Sequence, residues 1–313
     1  MLALGAVPTT WMVVRPRLVH LAALGVLGAG CAASEEPSAS ALPAACQVRP
    51  AFPVPATPVE GPPPSEDFTF DQEGFVLALL NGHSLVRAAR GAQWTMVHPN
   101  VVVNGRGLRV LPGGGVVIAD RDRALLVLID PAVGLSRLTT TIIRPNGIEL
   151  GPGGQLFVSD FGASGDIYRV DPKSGAAEVI TQPGPASNGL AFSLDQRTLF
   201  VGDHDAGALS RVPLQAAQAP LPAERWITGL GKPDGLATDA CGNIYVASWD
   251  GRVYRVTPAG EVDTVADLGT AVSAVGFGSG EQGWDAHSLY AMAVQQGLFE
   301  LPLGIGGAPA SSR

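Results

Sequence analysis

The sequence predicts an all-β fold, a six-bladed β-propeller of four-stranded antiparallel blades. A related phrase occurs six times after residue 64, and its equivalent positions are spaced 40, 40, 42, 46 and 39 residues apart. A period of about 40 residues built from short strands is typical of propeller blades. The composition agrees, because 40 glycines, 26 prolines and only 15% charged residues favour short strands joined by turns.

Residues 1–30 have the pattern of a secretory signal peptide. Arg15 and Arg17 precede an apolar run over residues 18–27, and small residues follow up to Cys31. Met12 is an alternative start, because the residues before it add nothing that a signal requires. The placement of Cys31 resembles a bacterial lipoprotein signal, in which the cysteine carries the lipid; an ordinary signal-peptidase site beside a cysteine is the alternative. We expect an exported, membrane-anchored lipoprotein on the periplasmic or cell-surface side.

The rest of the chain divides by composition. Residues 31–60 are rich in Ala, Pro and Ser and are predicted to be a linker, residues 61–305 to be the propeller, and residues 306–313 to be a disordered tail. The sixth repeat stops before an outer strand. We therefore expect residues 46–55 to supply that strand and to close the ring, because an outermost strand tolerates proline.

Two cysteines remain if Cys31 carries a lipid. An exported compartment permits Cys46 and Cys241 to form a disulfide, and two free buried thiols are the alternative.

Six side chains are predicted to meet at one mouth of the central channel. The loop entering the first strand of a blade emerges on the same face as the loop joining its second and third strands. The six entry positions are Glu66, Arg106, Asn146, Asn188, Asp234 and Ser273. Carboxylate and carboxamide oxygens suit Ca²⁺, Mg²⁺ or Mn²⁺, and the lack of Cys and His argues against a structural zinc site. Alternatively, the Asn-Gly and Asp-Gly pairs are turn dipeptides that bend the chain into each inner strand.

The same face carries further candidates in the loops between second and third strands. His83 and His204 are either general bases or exposed loop residues. Phe161 and Trp249 occupy equivalent loops, where they line a substrate pocket or cover blade edges. His204 is the histidine that we place among the substrate-binding candidates.

Three motifs resemble a known family. The third repeat contains Arg144-Pro145-Asn146-Gly147, the fourth Ser187-Asn188-Gly189-Leu190, and the fifth Lys232-Pro233-Asp234-Gly235. Together with the blade pattern over residues 66–303, they resemble the senescence marker protein, gluconolactonase and luciferin-regenerating enzyme family of six-bladed propellers.

The resemblance implies a site for one divalent cation. Its ligands would be Glu66, Asn188 and Asp234, with Asn146 near the substrate and a further candidate ligand. Ca²⁺ is the first expectation, and Zn²⁺, Mn²⁺ and Mg²⁺ are the alternatives. Arg144 matches a substrate-contacting arginine of the family.

The first and third repeats depart from the family pattern. Gly147 follows Asn146 directly where family members carry Asn-Asp-Gly, so one acidic group is lost. The first repeat reads Ser-Glu-Asp-Phe, which resembles the related arylesterase and lactonase propellers, and this resemblance implies Asp67 as a second candidate ligand for calcium. Glu60 is an alternative counterpart of Glu66.

We expect an exported, metal-dependent hydrolase of the gluconolactonase type. The metal would activate water for attack on a lactone, Asp234 would take the proton, and Arg144 or Arg106 would stabilise the oxyanion or hold the substrate. The expected partner is a lactone or another sugar-derived small molecule, bound by a monomer that touches the membrane only through its N-terminal lipid. A net charge of −8 argues against nucleic acid as a partner.

The rival prediction is a non-catalytic, surface-tethered propeller that acts as a binding or scaffold module. Propellers host many unrelated functions. The absence of an acidic group at Gly147 favours this alternative, whereas the retention of Glu66, Asn188, Asp234 and Arg144 favours an enzyme.

Overall fold

The computed structural model describes residue 46 and residues 50–60, 64–215 and 220–309. The predicted signal peptide, the lipidation candidate Cys31 and most of the predicted linker lie outside the described residues. Within the described part of the chain, no helix has the length and apolar character needed to cross a bilayer.

The described residues form six four-stranded antiparallel sheets, one for each predicted blade. The strand that precedes the first blade is β1 (Thr57–Pro58). Blades 1 and 2 comprise β2 (Phe68–Phe70), β3 (Val76–Leu80), β4 (Ser84–Ala88), β5 (Thr95–His98), β6 (Gly105–Val110), β7 (Val116–Asp120), β8 (Leu125–Asp130) and β9 (Gly134–Thr139). Blades 3 and 4 comprise β10 (Pro145–Leu150), β11 (Leu156–Asp160), β12 (Ile167–Val170), β13 (Ala177–Thr181), β14 (Ser187–Phe192), β15 (Thr198–Asp203), β16 (Ala208–Pro213) and β17 (Glu224–Thr228). Blades 5 and 6 comprise β18 (Pro233–Thr238), β19 (Ile244–Ser248), β20 (Arg252–Val256), β21 (Val262–Asp267), β22 (Val272–Phe277), β23 (Ser288–Ala293) and β24 (Gly297–Pro302). A 3₁₀ turn, Pro152–Gly154, joins β10 to β11.

The blades form a closed ring, which confirms the predicted fold class. The first strands of neighbouring blades contact one another around the whole ring, including β22 of blade 6 with β2 of blade 1. The described residues also form buried apolar clusters between each pair of neighbouring blades. Burial between blades, rather than within one, therefore stabilises the ring.

The ring closes through the N-terminal segment, but not through the residues predicted. Strand β1 pairs antiparallel with β24, placing Thr57 opposite Glu300 and Pro58 opposite Phe299. The closing strand does come from the later part of the predicted linker, but its predicted bounds, residues 46–55, were wrong because the described part of that segment packs elsewhere. Phe52 and Val54 pack against the cluster between blades 5 and 6, and the Val54 N–H donates to the Val265 carbonyl.

Described residues from the N-terminal and C-terminal parts of the chain both contact blade 5 at the turn between its first two strands. Cys46 and Cys241 form a disulfide across a separation of 195 residues, with their Cα atoms 5.4 Å apart. Residues 306–309, predicted to belong to a disordered tail, instead lie against this blade. Gly307 bridges to Asp239, and the Ala308 N–H donates to the Thr238 carbonyl.

The Asn-Gly and Asp-Gly pairs lie inside the inner strands and not in turns, so the turn alternative was wrong. Asn146-Gly147 belongs to β10 and Asp234-Gly235 to β18. In both strands the pairing register shifts at this pair, as in a β-bulge. Bulges re-aim side chains and occur beside functional sites.

The glycines at these bulges allow neighbouring inner strands to approach closely. A Cβ on Gly189 would overlap the carbonyl oxygen of Asp234, and a Cβ on Gly147 would overlap that of Asn188. The same holds for Gly107 in blade 2 and Gly235 in blade 5. In this structure, any side chain at position 147 would overlap the Asn188 backbone of the neighbouring blade.

We predict that Gly189→Ala destabilises the protein, because the added methyl group must displace the Asp234 backbone. Overpacking of this kind costs about 1–3 kcal/mol. Gly113→Ala is the matched control, since a Cβ there meets nothing within 4 Å. Urea unfolding of both variants checks the prediction, and equal free energies of unfolding would contradict it.

Candidate functional site

Five of the six predicted entry residues line one small cavity on the propeller axis. They are Glu66, Asn146, Asn188, Asp234 and Ser273. The cavity measures about 20 Å³, which is room for about one water molecule or ion. The sequence register therefore predicted this convergence, because one position in each blade faces the axis.

Arg106, the sixth entry residue, pairs with Glu66 instead. A guanidinium nitrogen lies 2.6 Å from Glu66 Oε1. The Arg106 Nε is buried and has no hydrogen-bond partner among the described residues.

Asp234 is a buried carboxylate beside a second negative charge. Burial, and then the charge of Glu66, raise its pKa well above the ordinary value. The indole Nε1–H of Trp249 donates to Asp234 Oδ2 at 2.5 Å. Trp249 was predicted to line a pocket or to cover a blade edge. In the structure its hydrogen bond orients the Asp234 carboxylate.

The two further candidate ligands differ in position, since Asp67 lines the cavity and Glu60 does not. Asp67 Oδ1 accepts the Phe68 N–H, and Oδ2 accepts both the Leu108 N–H and the Arg109 guanidinium. Asp67 thus joins blade 1 to blade 2, although it also lines the cavity. Glu60 is exposed and is not among the residues lining the cavity.

The donor set around the cavity fits a hard divalent cation. Glu66 and Asp234 supply carboxylates, and Asn146 and Asn188 supply carboxamides, all around a space of about one ion. The contacts with Arg106 and Trp249 each use one carboxylate oxygen and leave the other. Among the described residues, no three carboxylate, imidazole or thiol side chains cluster as a metal site on their own, so amide oxygens would be needed.

Aromatic rings from the loops between second and third strands form a wall beside the cavity. The ring of His204 lies 5.4 Å from that of Phe161 and 6.0 Å from that of Trp249, centroid to centroid. His204 is only 9% exposed, so the expectation of an ordinary exposed loop histidine was wrong.

His204 is suited to bind a polar group in its neutral form. Burial lowers its pKa, and its Nδ1 is buried without a partner among the described residues. His83, the other loop candidate, contacts Ser84 Oγ through its Nδ1 at 2.9 Å and so has a partner within its own blade.

Arg144 is fixed at the entry to blade 3. Its backbone N–H donates to the Asp160 carboxylate, and its carbonyl accepts the Phe161 N–H at 2.9 Å. Its guanidinium lies 5.7 Å from the centre of the Phe161 ring.

Sequence reasoning missed Arg121, which also contacts Phe161. Its guanidinium lies 4.9 Å from the ring centre. The signal was available, because Arg121 follows the second strand of its blade as Phe161, His204 and Trp249 follow theirs. Extending that register to blade 2 would have found it.

Comparison with known protein families identifies one family model that this chain matches. Residues 83–292 match the model of the SMP-30/gluconolactonase/LRE-like region. A 6-deoxy-6-sulfogluconolactonase of Pseudomonas putida is 36% identical over 132 residues, which cover 40% of this chain and 44% of that protein. A pentonolactonase of Haloferax volcanii is 26% identical over 190 residues, covering 57% of this chain and 62% of that protein. The chain thus matches about half the length of these relatives.

Solved structures of distant relatives share the fold. A gluconolactonase of Xanthomonas campestris superposes with a TM-score of 0.62 at 17% identity, covering 82% of this chain and 99% of that one. Regucalcin of Agrobacterium tumefaciens, described as a calcium-binding protein, superposes with a TM-score of 0.65 at 24% identity, covering 83% and 97%.

We predict that Asp234→Asn stabilises the metal-free protein. The variant removes a buried charge that Glu66 opposes and keeps an oxygen to accept the Trp249 N–H. The expected gain in the free energy of unfolding is on the order of 1 kcal/mol. Urea unfolding with chelator present measures it, with the exposed Glu60→Gln as a control for losing one negative charge. A loss of stability in Asp234→Asn would contradict the prediction.

Proposed function

The chain belongs to the SMP-30/gluconolactonase/LRE-like family, and from that premise we propose that it is a metal-dependent lactonase acting on a sugar-derived lactone. One observation carries the proposal. Glu66, Asn146, Asn188 and Asp234 surround a cavity of about 20 Å³ beside two arginines and an aromatic wall. Ca²⁺ is the cation that we propose first, because mixed carboxylate and carboxamide oxygens suit it.

Family membership alone would leave the activity open, since propellers support unrelated functions. Two relatives support a lactone substrate, because one is a 6-deoxy-6-sulfogluconolactonase and the other is a pentonolactonase. The calcium-binding description of regucalcin is consistent with the proposed cation.

Each side chain has a role that follows from its position. A bound divalent cation polarises a carbonyl as a Lewis acid. Asp234, with one oxygen held by Trp249, accepts a proton from the attacking water through its other oxygen. Arg106 donates to the substrate oxygen on which negative charge develops, and Arg144 holds a more distant polar group of the substrate.

The remaining wall residues position the substrate. His204 contributes a neutral imidazole to the aromatic wall, between the Phe161 and Trp249 rings, and so shapes the substrate pocket. Arg106 is held beside the cavity by Glu66, which places its guanidinium near a substrate oxygen.

We also propose that the enzyme is exported and held at a membrane by a lipid on Cys31. The leader pattern of Arg15, Arg17 and the apolar run after them supports this proposal. Labelling with a radioactive fatty acid tests it, because Cys31→Ser should abolish incorporation.

We predict chelator-sensitive hydrolysis of aldonolactones by the purified protein, restored by Ca²⁺ or by Zn²⁺, Mn²⁺ or Mg²⁺. Asp234→Ala and Asn188→Ala should lose activity by at least about 100-fold, because each removes a donor from the same cavity. They should also lose the rise in melting temperature that the cation gives the wild type. A pH-stat assay and thermal unfolding measure the two effects.

Glu60→Gln is the matched control for these variants, because Glu60 is exposed and lies outside the cavity. It should retain both activity and cation response, whereas Glu66→Gln should lose the cation response. Activity that survives in Asp234→Ala would reject the assignment. A protein that neither hydrolyses lactones nor responds to divalent cations would be the non-catalytic binding module.

A further inference from the structure

Three arginines from two neighbouring blades gather on the face that carries the cavity. Arg106 enters blade 2, Arg121 follows its second strand, and Arg144 enters blade 3. Arg121 and Arg144 lie 4.9 and 5.7 Å from the centre of the same Phe161 ring. Arg106 and Arg144 are also the charges that, after burial, lower the pKa of Arg121.

This cluster is only partly neutralised. Glu66 pairs with Arg106. Asp122 is near Arg121 but exposed, and it accepts the side-chain N–H of Asn104. Asp160 lies beneath Arg144, where it accepts the N–H groups of residues 143 and 144, and burial raises its pKa.

Neither Arg121 nor Arg144 forms an ion pair with a carboxylate of the described residues; both face the Phe161 ring instead. Like charges held together destabilise a protein unless a counterion joins them. An arginine cluster is therefore unusual in a chain of net charge −8 and only 20 basic residues. Guanidinium groups on an aromatic face remain free to present their N–H edges to an anion.

The cluster adjoins the proposed reaction centre without occupying it. Arg106 contacts the cavity-lining Glu66, and Arg144 precedes the cavity-lining Asn146 by two residues. Arg121 belongs to the outer part of the face, because it emerges from the loop between the second and third strands. An extended substrate with its ester at the cavity can thus place its other end at Arg121.

We propose that the substrate is an anionic lactone, with a carboxylate, sulfonate or phosphate remote from the ester, and that Arg121 with Arg144 binds this oxyanion. The inference rests on the proposed lactonase function and narrows its substrate class. Arginine suits all three anions, because its paired N–H groups match two oxygens of each. Arg121 acts here as a specificity residue and not in the chemical step.

The test compares matched lactones that differ in one charged group. The probes are two pairs: glucono-δ-lactone with its 6-phosphate, and glucono-γ-lactone with glucaro-1,4-lactone, which carries a free carboxylate on the same five-membered lactone ring. The wild type should show a kcat/KM at least about 10-fold higher for an anionic lactone than for its neutral counterpart, since hydrogen bonds to a charged group have this magnitude. The preference should weaken as salt rises. The two anionic probes distinguish a phosphate-type site from a carboxylate-type site.

Arg121→Gln should lower the ratio of anionic to neutral kcat/KM by about 10- to 100-fold. Arg121→Lys should retain part of the preference, because it keeps the charge but loses the paired donors. Arg137→Gln is the control, since this exposed arginine lies in the outer strand β9, away from the cavity. It should leave the ratio unchanged, and thermal unfolding verifies that each variant is folded.

Two results would overturn the inference while leaving the lactonase proposal intact. One is an equal kcat/KM of the wild type for anionic and neutral lactones, and the other is a ratio of these two values that Arg121→Gln leaves unchanged. Absence of turnover for all four lactones would instead reject the lactonase. In that case calorimetry with glucarate and gluconate still tests the cluster. Tighter binding of the dianion by the wild type, lost in Arg121→Gln, would support the anion site, and equal binding would overturn it.

Discussion

The close approach of the inner strands around the axis is the constraint on which the site depends. Glycines at four bulges leave no room for a Cβ against the next blade. Because the strands approach this closely, the residues before three of these glycines, Asn146, Asn188 and Asp234, line a cavity that admits about one ion. A propeller with larger residues there would be wider, and the same donors would no longer reach one cation. The glycines thus determine the geometry of a site whose chemistry other residues supply.

The geometry of the cavity places two carboxylates, Glu66 and Asp234, close together, and the fold compensates their repulsion only in part. Asp234 lies in a small cavity beside Glu66, where burial and the charge of Glu66 oppose the ionisation of Asp234. Trp249 and Arg106 stabilise them in part. Elsewhere the structure treats carboxylates differently: Asp67 accepts three donors and is consumed in joining two blades. Asp67 therefore has a structural role, whereas Asp234 accepts one hydrogen bond from Trp249 and keeps its other oxygen for binding.

The sequence predicted the ring and most of the site for a simple reason. A repeat places equivalent residues at equivalent points of a closed ring, so register alone brought Glu66, Asn146, Asn188, Asp234 and Ser273 together. It failed where contacts cross between repeats. The closing strand was misplaced by a few residues, because packing of Phe52 and Val54 against another blade is not encoded in the repeat. The pairing of Arg106 with Glu66 was missed for the same reason.

The two sides of the functional face differ in charge, and this difference would orient a bound substrate. Carboxylates of blades 1 and 5 lie at the cavity, whereas the arginines belong to blades 2 and 3. A cation and an anion would therefore bind side by side and in fixed order across the ring. A cation bound by Glu66 and Asp234 would hold an ester carbonyl at the cavity, and Arg121 and Arg144 would hold an oxyanion near Phe161. Under the proposal, a neutral lactone would have only the first of these attractions and would bind in several orientations. A charged lactone would have both, and the two together would select the orientation in which the ester meets Asp234.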